Sequence, residues 1–356
     1  MDVLERVRDI DLNDPTISDE INTARQALLR EISREGRTTR QARRRRWIGA
    51  TGLVAGVAAT AVVINVLVPA QIDPAAAAVL EDAADVTINA IDTTLAPGQY
   101  LRIQTDSDDL WRWDVDMGDE AWERFNNGNR GDAEAGVIVQ ETRVLYVPAD
   151  RSADWIWDWS ADPQVIAVYG TRTDEATADW GAQANASDSG YWPDLQALPG
   201  GAIPAAEGDS HQYLLDGYRP FYDEMPHDPQ ALLNWFRAHS GDPDVSDQWV
   251  VDAMADVLTA NLMPAELRAA VLRALALVPG IRISEVTGTA TTLEYQSGDW
   301  LFTRTTLITL DTELGMITSL AQATTNNIGG SGNIPGSVPD SRTIVTTTVV
   351  DSAPTP

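Results

Sequence analysis

Two amino acids that support common protein chemistries are missing from this chain of 356 residues. There is no cysteine, which excludes disulfide bonds, thiolate metal ligands and a cysteine nucleophile. There is no lysine either, so all 25 basic residues are arginines, and the phosphate-binding loop G-x-x-x-x-G-K is excluded. A domain formed by this chain must therefore fold on its apolar core without covalent cross-links.

Histidine is scarce, since the chain contains only His211, His227 and His239. None of them has the H-E-x-x-H spacing of zinc hydrolases. Ser210, next to His211, lacks the G-x-S-x-G context that exposes a nucleophilic serine. We therefore expect a protein that is not an enzyme and that needs no cofactor or metal ion.

An acidic cluster between positions 106 and 120 offers oxygen ligands for calcium. Its members are Asp106, Asp108, Asp109, Asp114, Asp116, Asp119 and Glu120. Gly118 stands where the loop of an EF-hand needs a ligand, and no glutamate closes a twelve-residue loop. A solvated acidic loop is favoured over a calcium site.

Positive charge is concentrated at the start of the chain. Eleven of the 25 arginines lie within residues 1–46, and the chain after Val68 carries a formal charge of about −30. Such an excess of acidic groups disfavours contact with nucleic acid and with anionic lipid headgroups. We therefore expect no nucleic-acid partner.

A long uncharged run follows the arginines at 43–46. Residues 47–68 are 22 residues without a charge, and as a helix rising ~1.5 Å per residue they reach about 33 Å, enough to cross a ~30 Å hydrocarbon core. Because basic residues flank only the N-terminal side, the tail is expected in the cytoplasm and the remaining chain outside. The run predicts a single-pass protein of the cell membrane, with the lipid bilayer as its partner.

Two other interpretations of this run stay open. A cleaved secretory signal would have a shorter apolar region and a shorter lead than 46 residues. Arg44 and Arg45 also fit a twin-arginine export signal, although any arginine-rich flank of a membrane span would contain adjacent arginines. An uncleaved anchor is the favoured interpretation.

The cytoplasmic tail, residues 1–46, contains one amphipathic segment. In a helix over residues 18–35, one face carries Ile21, Ala24, Leu28 and Ile32. This face would either rest on the inner leaflet or bind a cytoplasmic regulatory protein such as a sigma factor. The arginines beside it favour the leaflet.

The chain outside the membrane divides by composition. Residues 69–98 are predicted as a linker and a juxtamembrane helix that starts at Pro74. Residues 99–323 are predicted as an α+β domain, residues 324–340 as a flexible loop rich in Gly, Ser and Asn, and residues 341–356 as a last strand and tail.

Within residues 99–323 the hydrophobic period changes along the chain. Strands are predicted over residues 99–104 and 137–147, with a polar loop between them. A helical block follows, and from Ile281 onward a period of two predicts a meander of antiparallel strands. We expect helices packed on a curved antiparallel sheet.

The tryptophans are patterned. Strand alternation places Trp155, Trp157 and Trp159 on one face, and the shorter pair Trp111 and Trp113 repeats the pattern. These residues form either a platform for a sugar or an acyl chain, or the filling of the core beneath the sheet. Core filling is the favoured interpretation.

Several segments carry a family resemblance. They are residues 75–80 (AAAAVL), 97–101 (PGQYL), 228–232 (DPQAL), and 263–270 (MPAELRAA) leading to 277–281 (LVPGI). With these segments, the arginine run and the single apolar helix, the chain resembles a family of actinobacterial single-pass membrane proteins of unassigned function.

The wider layout is similar to two kinds of protein. Helices laid against a meander are similar to the half-barrel of lipoprotein carriers, which implies a concave face that holds an apolar or envelope-derived ligand between the tryptophan strands and the leucine-rich helices. The N-terminal layout is similar to that of membrane-bound anti-sigma factors, which implies a regulator that acts through the helix of residues 18–35.

Overall fold

The computed structural model describes residues 71–89, 95–125, 130–186, 194–201, 222, 224–239, 247–298, 301–327 and 332–356. All of them belong to one compact unit, Val68–Pro356. The predicted cytoplasmic tail and membrane span lie outside the described residues. Among those that are described, no helix combines the length and the apolar character needed to cross a bilayer.

The described part contains five α-helices and ten strands. The helices are α1 Pro74–Asn89, α2 Thr173–Ala186, α3 Pro229–His239, α4 Asp247–Thr259 and α5 Ala265–Ala276. The first five strands are β1 Tyr100–Trp113, β2 Ala135–Pro148, β3 Asp154–Asp158, β4 Gln164–Gly170 and β5 Leu195–Pro199. The last five are β6 Arg282–Thr287, β7 Ala290–Gly298, β8 Phe302–Asp311, β9 Met316–Asn326 and β10 Ser341–Val350.

The strands form one antiparallel sheet in the order β5-β3-β2-β1-β10-β9-β8-β7-β6. Strand β3 pairs with residues 144–146 of β2, and β4 pairs with residues 135–140 on the same edge. The prediction of an α+β fold with a large antiparallel sheet is confirmed. Strands β6 to β9 form the expected meander. Strand β10 returns to lie between β9 and β1, and so joins the two halves of the sheet.

Four helices form a layer on one face of the sheet. Helix α5 packs on α1 and α3, and α4 packs on β7 and β9. Their inward leucines, which include Leu232, Leu258, Leu272 and Leu275, are buried against sheet residues such as Ile308. Apolar residues spaced three and four apart place these side chains on one stripe of each helix. The main core therefore lies between this helix layer and the sheet.

The helix boundaries follow the local signals in the sequence. The Asp228 carboxylate accepts a hydrogen bond from the backbone N–H of Ala231 at 2.8 Å, which caps α3 ahead of its first-turn Pro229. Helix α5 starts directly after Pro264. Helix α5 ends at Ala276, and Gly280, four residues later, has a φ of +94° and so uses the conformational freedom of glycine.

Strand β1 is longer than its predicted counterpart over residues 99–104, because the acidic residues that were expected in a loop continue the strand to Trp113. Asp108 is only 6% exposed, and its carboxylate accepts hydrogen bonds from Gln140 and from Arg342. Asp106 accepts one from Thr142 at 2.6 Å. These partners, together with pairing on both sides of β1, override the low strand propensity of aspartate.

The segment predicted as a flexible loop, residues 324–340, also contains strand residues and buried side chains that were not predicted. Strand β9 reaches Asn326, and Ile334 is completely buried on the face of the sheet opposite the helix layer. The buried guanidinium of Arg130 donates to the carbonyls of Pro335 and Val338 and to the carboxylate of Asp340. Residues 332–340 are thus held by a buried arginine rather than left free.

Asp340 is the acceptor at the centre of this arrangement. Its carboxylate receives hydrogen bonds from Arg112 at 2.6 Å and from Arg130 at 2.7 Å. Burial tends to raise the pKa of Asp340, but the hydrogen bonds and charges of the two arginines outweigh it, so the pKa lies below its ordinary value of 3.8. A lowered carboxyl pKa contributes stability above the unfolded pKa, and this is lost as the pH falls through the folded value.

We predict that Asp340→Asn lowers the free energy of unfolding by roughly 3 kcal/mol at pH 7, because it leaves the buried Arg130 without its charged partner. The difference from the unchanged protein should shrink as the pH falls below 3.8, because the unfolded chain then binds a proton at Asp340 more readily than the folded protein does. Urea denaturation followed by tryptophan fluorescence measures both effects. The exposed Glu313→Gln is the control, and an equal loss at pH 7 and pH 3 would contradict the assignment.

Candidate functional site

Along strands β1 and β2, the face of the sheet that carries the helix layer is apolar at both ends and polar between them. Side chains alternate between the two faces, so odd-numbered residues of both strands lie on this face. At one end, Leu101 and Ile103 with their β2 partners Val147 and Leu145 contribute to the main core. At the other end the same face carries Trp113 and its β2 partner Ala135, which belong to a second buried cluster.

Between these two apolar regions lies a polar strip, which we define by the half-buried side chains that share this face on β1, β2 and β10. Its members are Thr105, Ser107, Asp109, Glu141, Arg143, Ser341 and Thr343. Arg143 donates to Glu141 at 2.6 Å, and the two side chains are 39% and 32% exposed. The strip is therefore partly accessible and is not packed core.

A pair of tryptophans borders the strip on the side of the main core. Trp157 is aligned with Leu145 of β2, and Trp159 follows two residues later. The ring centroids of Trp157 and Trp159 are 4.6 Å apart, and the guanidinium carbon of Arg143 lies 4.2 Å from the centroid of Trp159. Stacking between arginine and tryptophan fixes both side chains at this edge of the strip.

An aromatic cluster borders the other end. Trp111 lies 5.3 Å from Trp180 of α2 between ring centroids, and Phe125 lies 5.7 Å from Trp180. Trp111 is 37% exposed. Arg143 is aligned with Thr105 of β1, and Trp111 lies six positions farther along the same strand. This corresponds to about 20 Å at ~3.3 Å per residue.

Two of the tryptophans singled out in the sequence are structural. Trp155 is 3% exposed and packs in the main core, and Trp113 is completely buried beneath α2. The Nε1–H of Trp113 donates to the carboxylate of Asp179 at 2.8 Å, which fastens α2 to the sheet. At these two positions the rings fill the core, which is the interpretation favoured from the sequence, and neither ring is accessible to a ligand.

Unsatisfied polar atoms lie where the strip meets the main core. One row across five strands consists of Thr347, Ile103, Leu145, Trp157 and Gln196. The buried Oγ1 of Thr347 and the buried Oε1 of Gln196 have no hydrogen-bond partner within the described part of the chain, and the same holds for Nε of Arg143 in the next row. Buried polar groups are normally paired, so these three atoms are local exceptions at this boundary.

The carboxyl group of Asp109 has a raised pKa. Burial is the largest cause, followed by the charge of Glu141, while Arg143 acts in the opposite direction and Asp108 adds a smaller repulsion. The strip therefore holds more negative charge than its single arginine balances.

The other candidate residues have simpler environments. Asp106 and Asp108 lie on the face opposite Asp109, so the acids of β1 do not converge, and the described ranges contain no group of three or more His, Asp or Glu residues that could hold a metal ion. Nδ1–H of His239 donates a hydrogen bond to the carbonyl of Trp235, and the imidazole stacks on the Trp235 ring. His211 lies outside the described residues.

The predicted partner-helix face formed by Ile21, Ala24, Leu28 and Ile32 also lies outside the described residues. The polar strip itself was missed in the sequence, although the signal is present. Continuing the alternation from Ile103 through the acidic stretch places Thr105, Ser107, Asp109 and Trp111 on one face.

The fold and the strip define an α+β domain with a helix layer on a single antiparallel sheet and an aromatic-bordered polar surface on the same face. No protein-family model, no curated protein and no solved structure matches the chain. The assignment of a function therefore depends on the geometry of the strip and on the sequence.

We predict that Trp155→Ala and Trp159→Ala have very different effects on folding. Removing the buried ring of Trp155 should cost about 3–5 kcal/mol of unfolding free energy. Removing Trp159 should cost only about 1 kcal/mol, since its ring is half-buried and contacts mainly Arg143 and Trp157. Urea titrations of both variants measure the difference, and similar losses would show that Trp159 belongs to the core.

Proposed function

We propose that this is a single-pass membrane protein whose extracytoplasmic domain binds an envelope-derived ligand on the polar strip and does no catalysis. The observation that carries the proposal is the position of the strip between two partly accessible aromatic groups, Trp157 with Trp159 at one end and Trp111 at the other. Sites for small ligands commonly combine aromatic walls with a few convergent polar groups.

The membrane location rests on the sequence. The uncharged residues 47–68 follow four consecutive arginines, and the acidic remainder of the chain follows the run. Helix α1 begins at Pro74, six residues after the end of the run. A tether of this length would hold the domain close to the outer surface of the membrane.

The packing of the helix layer narrows the class of ligand. Leucines such as Leu232, Leu272 and Leu275, which were expected to help line a concave apolar face, are buried in the main core. An acyl chain would therefore find little accessible apolar surface on these helices. A ligand with both polar groups and flat apolar faces fits the described residues better than a purely apolar one.

The strip is also built on a rigid support. Its residues come from three adjacent strands in the interior of the sheet, and Arg143 is held by both Glu141 and Trp159. Sites on regular secondary structure hold their side chains more accurately than sites on loops. The regulator function, acting through Ile21, Ala24, Leu28 and Ile32, is the alternative proposal, and a ligand bound outside would be compatible with it.

The proposal predicts that the full chain, extracted from membranes in mild detergent, carries a bound envelope component. Native mass spectrometry should show this added mass in the unchanged protein and in Trp249→Ala, a matched control whose exposed ring lies on α4 outside the strip. The mass should be lost in Trp159→Ala, because the ring that borders the strip is removed.

Two results would contradict the proposal. One is an unchanged protein that carries no ligand after extraction and that gains none from an envelope extract. The other is a bound mass that persists in Trp159→Ala.

A further inference from the structure

We infer that the polar strip binds an extended oligosaccharide without net negative charge, which runs from the Trp157 and Trp159 pair to Trp111. The inference rests on the proposed function, since it names the class of ligand for the same surface. Four properties of the strip support it: the order of its side chains, the cost of covering them with an apolar chain, their charge, and the pairing of β1 along both of its edges beneath the strip.

The order of side chains along the strip matches the chemistry of a sugar chain. A sugar ring presents an apolar C–H face and a rim of hydroxyl groups, so it stacks on an aromatic ring and hydrogen-bonds to carboxylates, amides and guanidinium groups in the same plane. The pair Trp157 and Trp159 offers the aromatic surface, and Arg143 and Glu141 follow at once with charged hydrogen-bonding groups. Trp111 offers a second aromatic surface about 20 Å farther along the sheet.

An apolar chain would be a poor occupant of the same surface. It would cover the hydroxyl groups of Thr105, Ser107 and Thr343 and the ion pair between Arg143 and Glu141 without offering any hydrogen bond. Burying polar and charged groups without partners costs free energy, of the order of 1–3 kcal/mol for each neutral group in protein mutants. A chain of hydroxyl groups replaces the lost water contacts and avoids this cost.

The charge of the strip selects against anionic chains. Asp109 and Glu141 face a single guanidinium, that of Arg143, which is already paired with Glu141. The chain after Val68 adds a formal charge of about −30 to the surroundings. An acidic polysaccharide would be repelled at the strip and over the whole domain, whereas a neutral or amino-bearing chain would not.

A peptide is disfavoured by the topology. Extended peptides are commonly bound by addition to a free sheet edge. Over the strip, β1 is paired on both sides, to β2 and to β10, so its backbone groups are occupied. Along β1, side chains alone remain to make the contacts, as they do for a sugar chain lying across the face of a sheet.

The test uses the full chain in detergent and a panel of neutral tetrasaccharides that includes the β-1,4-linked tetramers of glucose and of N-acetylglucosamine. Isothermal titration calorimetry should show binding of at least one member. The corresponding disaccharide should bind at least tenfold more weakly, because it cannot reach both aromatic ends. A tetramer of galacturonic acid should bind at least tenfold more weakly than the best neutral tetramer.

The variants locate the site. Trp159→Ala and Trp111→Ala should each weaken binding of the best tetramer at least tenfold, while Trp249→Ala should leave the affinity unchanged. The urea midpoint of each variant shows that the loss is not a failure to fold. As a further variant, Glu141→Gln keeps the size of the side chain and should weaken binding, since it removes a charged acceptor and the partner of Arg143.

Three outcomes would overturn the inference: no neutral tetramer binds, the galacturonic acid tetramer binds as tightly as the best neutral one, or a fatty acid or an extended peptide competes for the strip. If a membrane-derived ligand is still lost in Trp159→Ala while the saccharide panel fails, this inference is wrong and the proposed function stands. If neither binds, both are wrong.

Discussion

Strand β1 is paired along both of its edges, through fourteen residue pairs with β2 and ten with β10, and the rest of the domain depends on this double pairing. It joins strands from the two ends of the described chain into one sheet, for example where Leu101 aligns with Val349. Without it, the C-terminal meander and the N-terminal strands would be two separate small sheets. The polar strip exists only because three strands are brought side by side in this way.

The pairing of β1 is locked by buried polar contacts rather than by apolar side chains alone. Asp108 receives hydrogen bonds from Gln140 on β2 and from Arg342 on β10, one from each neighbouring strand. A shift of one residue in either register would turn these side chains to the opposite face of the sheet. Charged residues in the middle of a strand thus specify one alignment, and they leave the alternating residues, Ser107 and Asp109, on the face that forms the strip.

Much of the fold could be predicted from the sequence where its signals are local. The helix that starts at Asp228, the helix after Pro264 and the meander of β6 to β9 follow from caps, prolines and hydrophobic period. Helix α2 was missed because its stretch is rich in alanine and aspartate and buries little beyond Ala176 and the ring of Trp180. The short β4 and β5 were also missed, and their position depends on contacts with β2 and β3.

The candidate site was predictable only in part. Alternation correctly groups Trp157 with Trp155 on one face, but it cannot show that Trp155 is buried in the main core while Trp159 is half-buried. Nor does the local sequence reveal that β10 would supply Ser341 and Thr343 beside β1, more than 230 residues away in the chain. The strip was not predicted because aspartates such as those after Gln104 usually indicate a loop.

The central claim is that the strip between Trp157, Trp159 and Trp111 is where this protein meets its ligand. The most direct measurement is NMR of the full chain with ¹⁵N-labelled tryptophan, which observes the indole N–H of each ring before and after addition of an envelope extract. The account predicts shifts for Trp157, Trp159 and Trp111, with the buried Trp155 and Trp113 nearly unchanged. Shifts confined to rings outside the strip, such as Trp235 and Trp249, would contradict it.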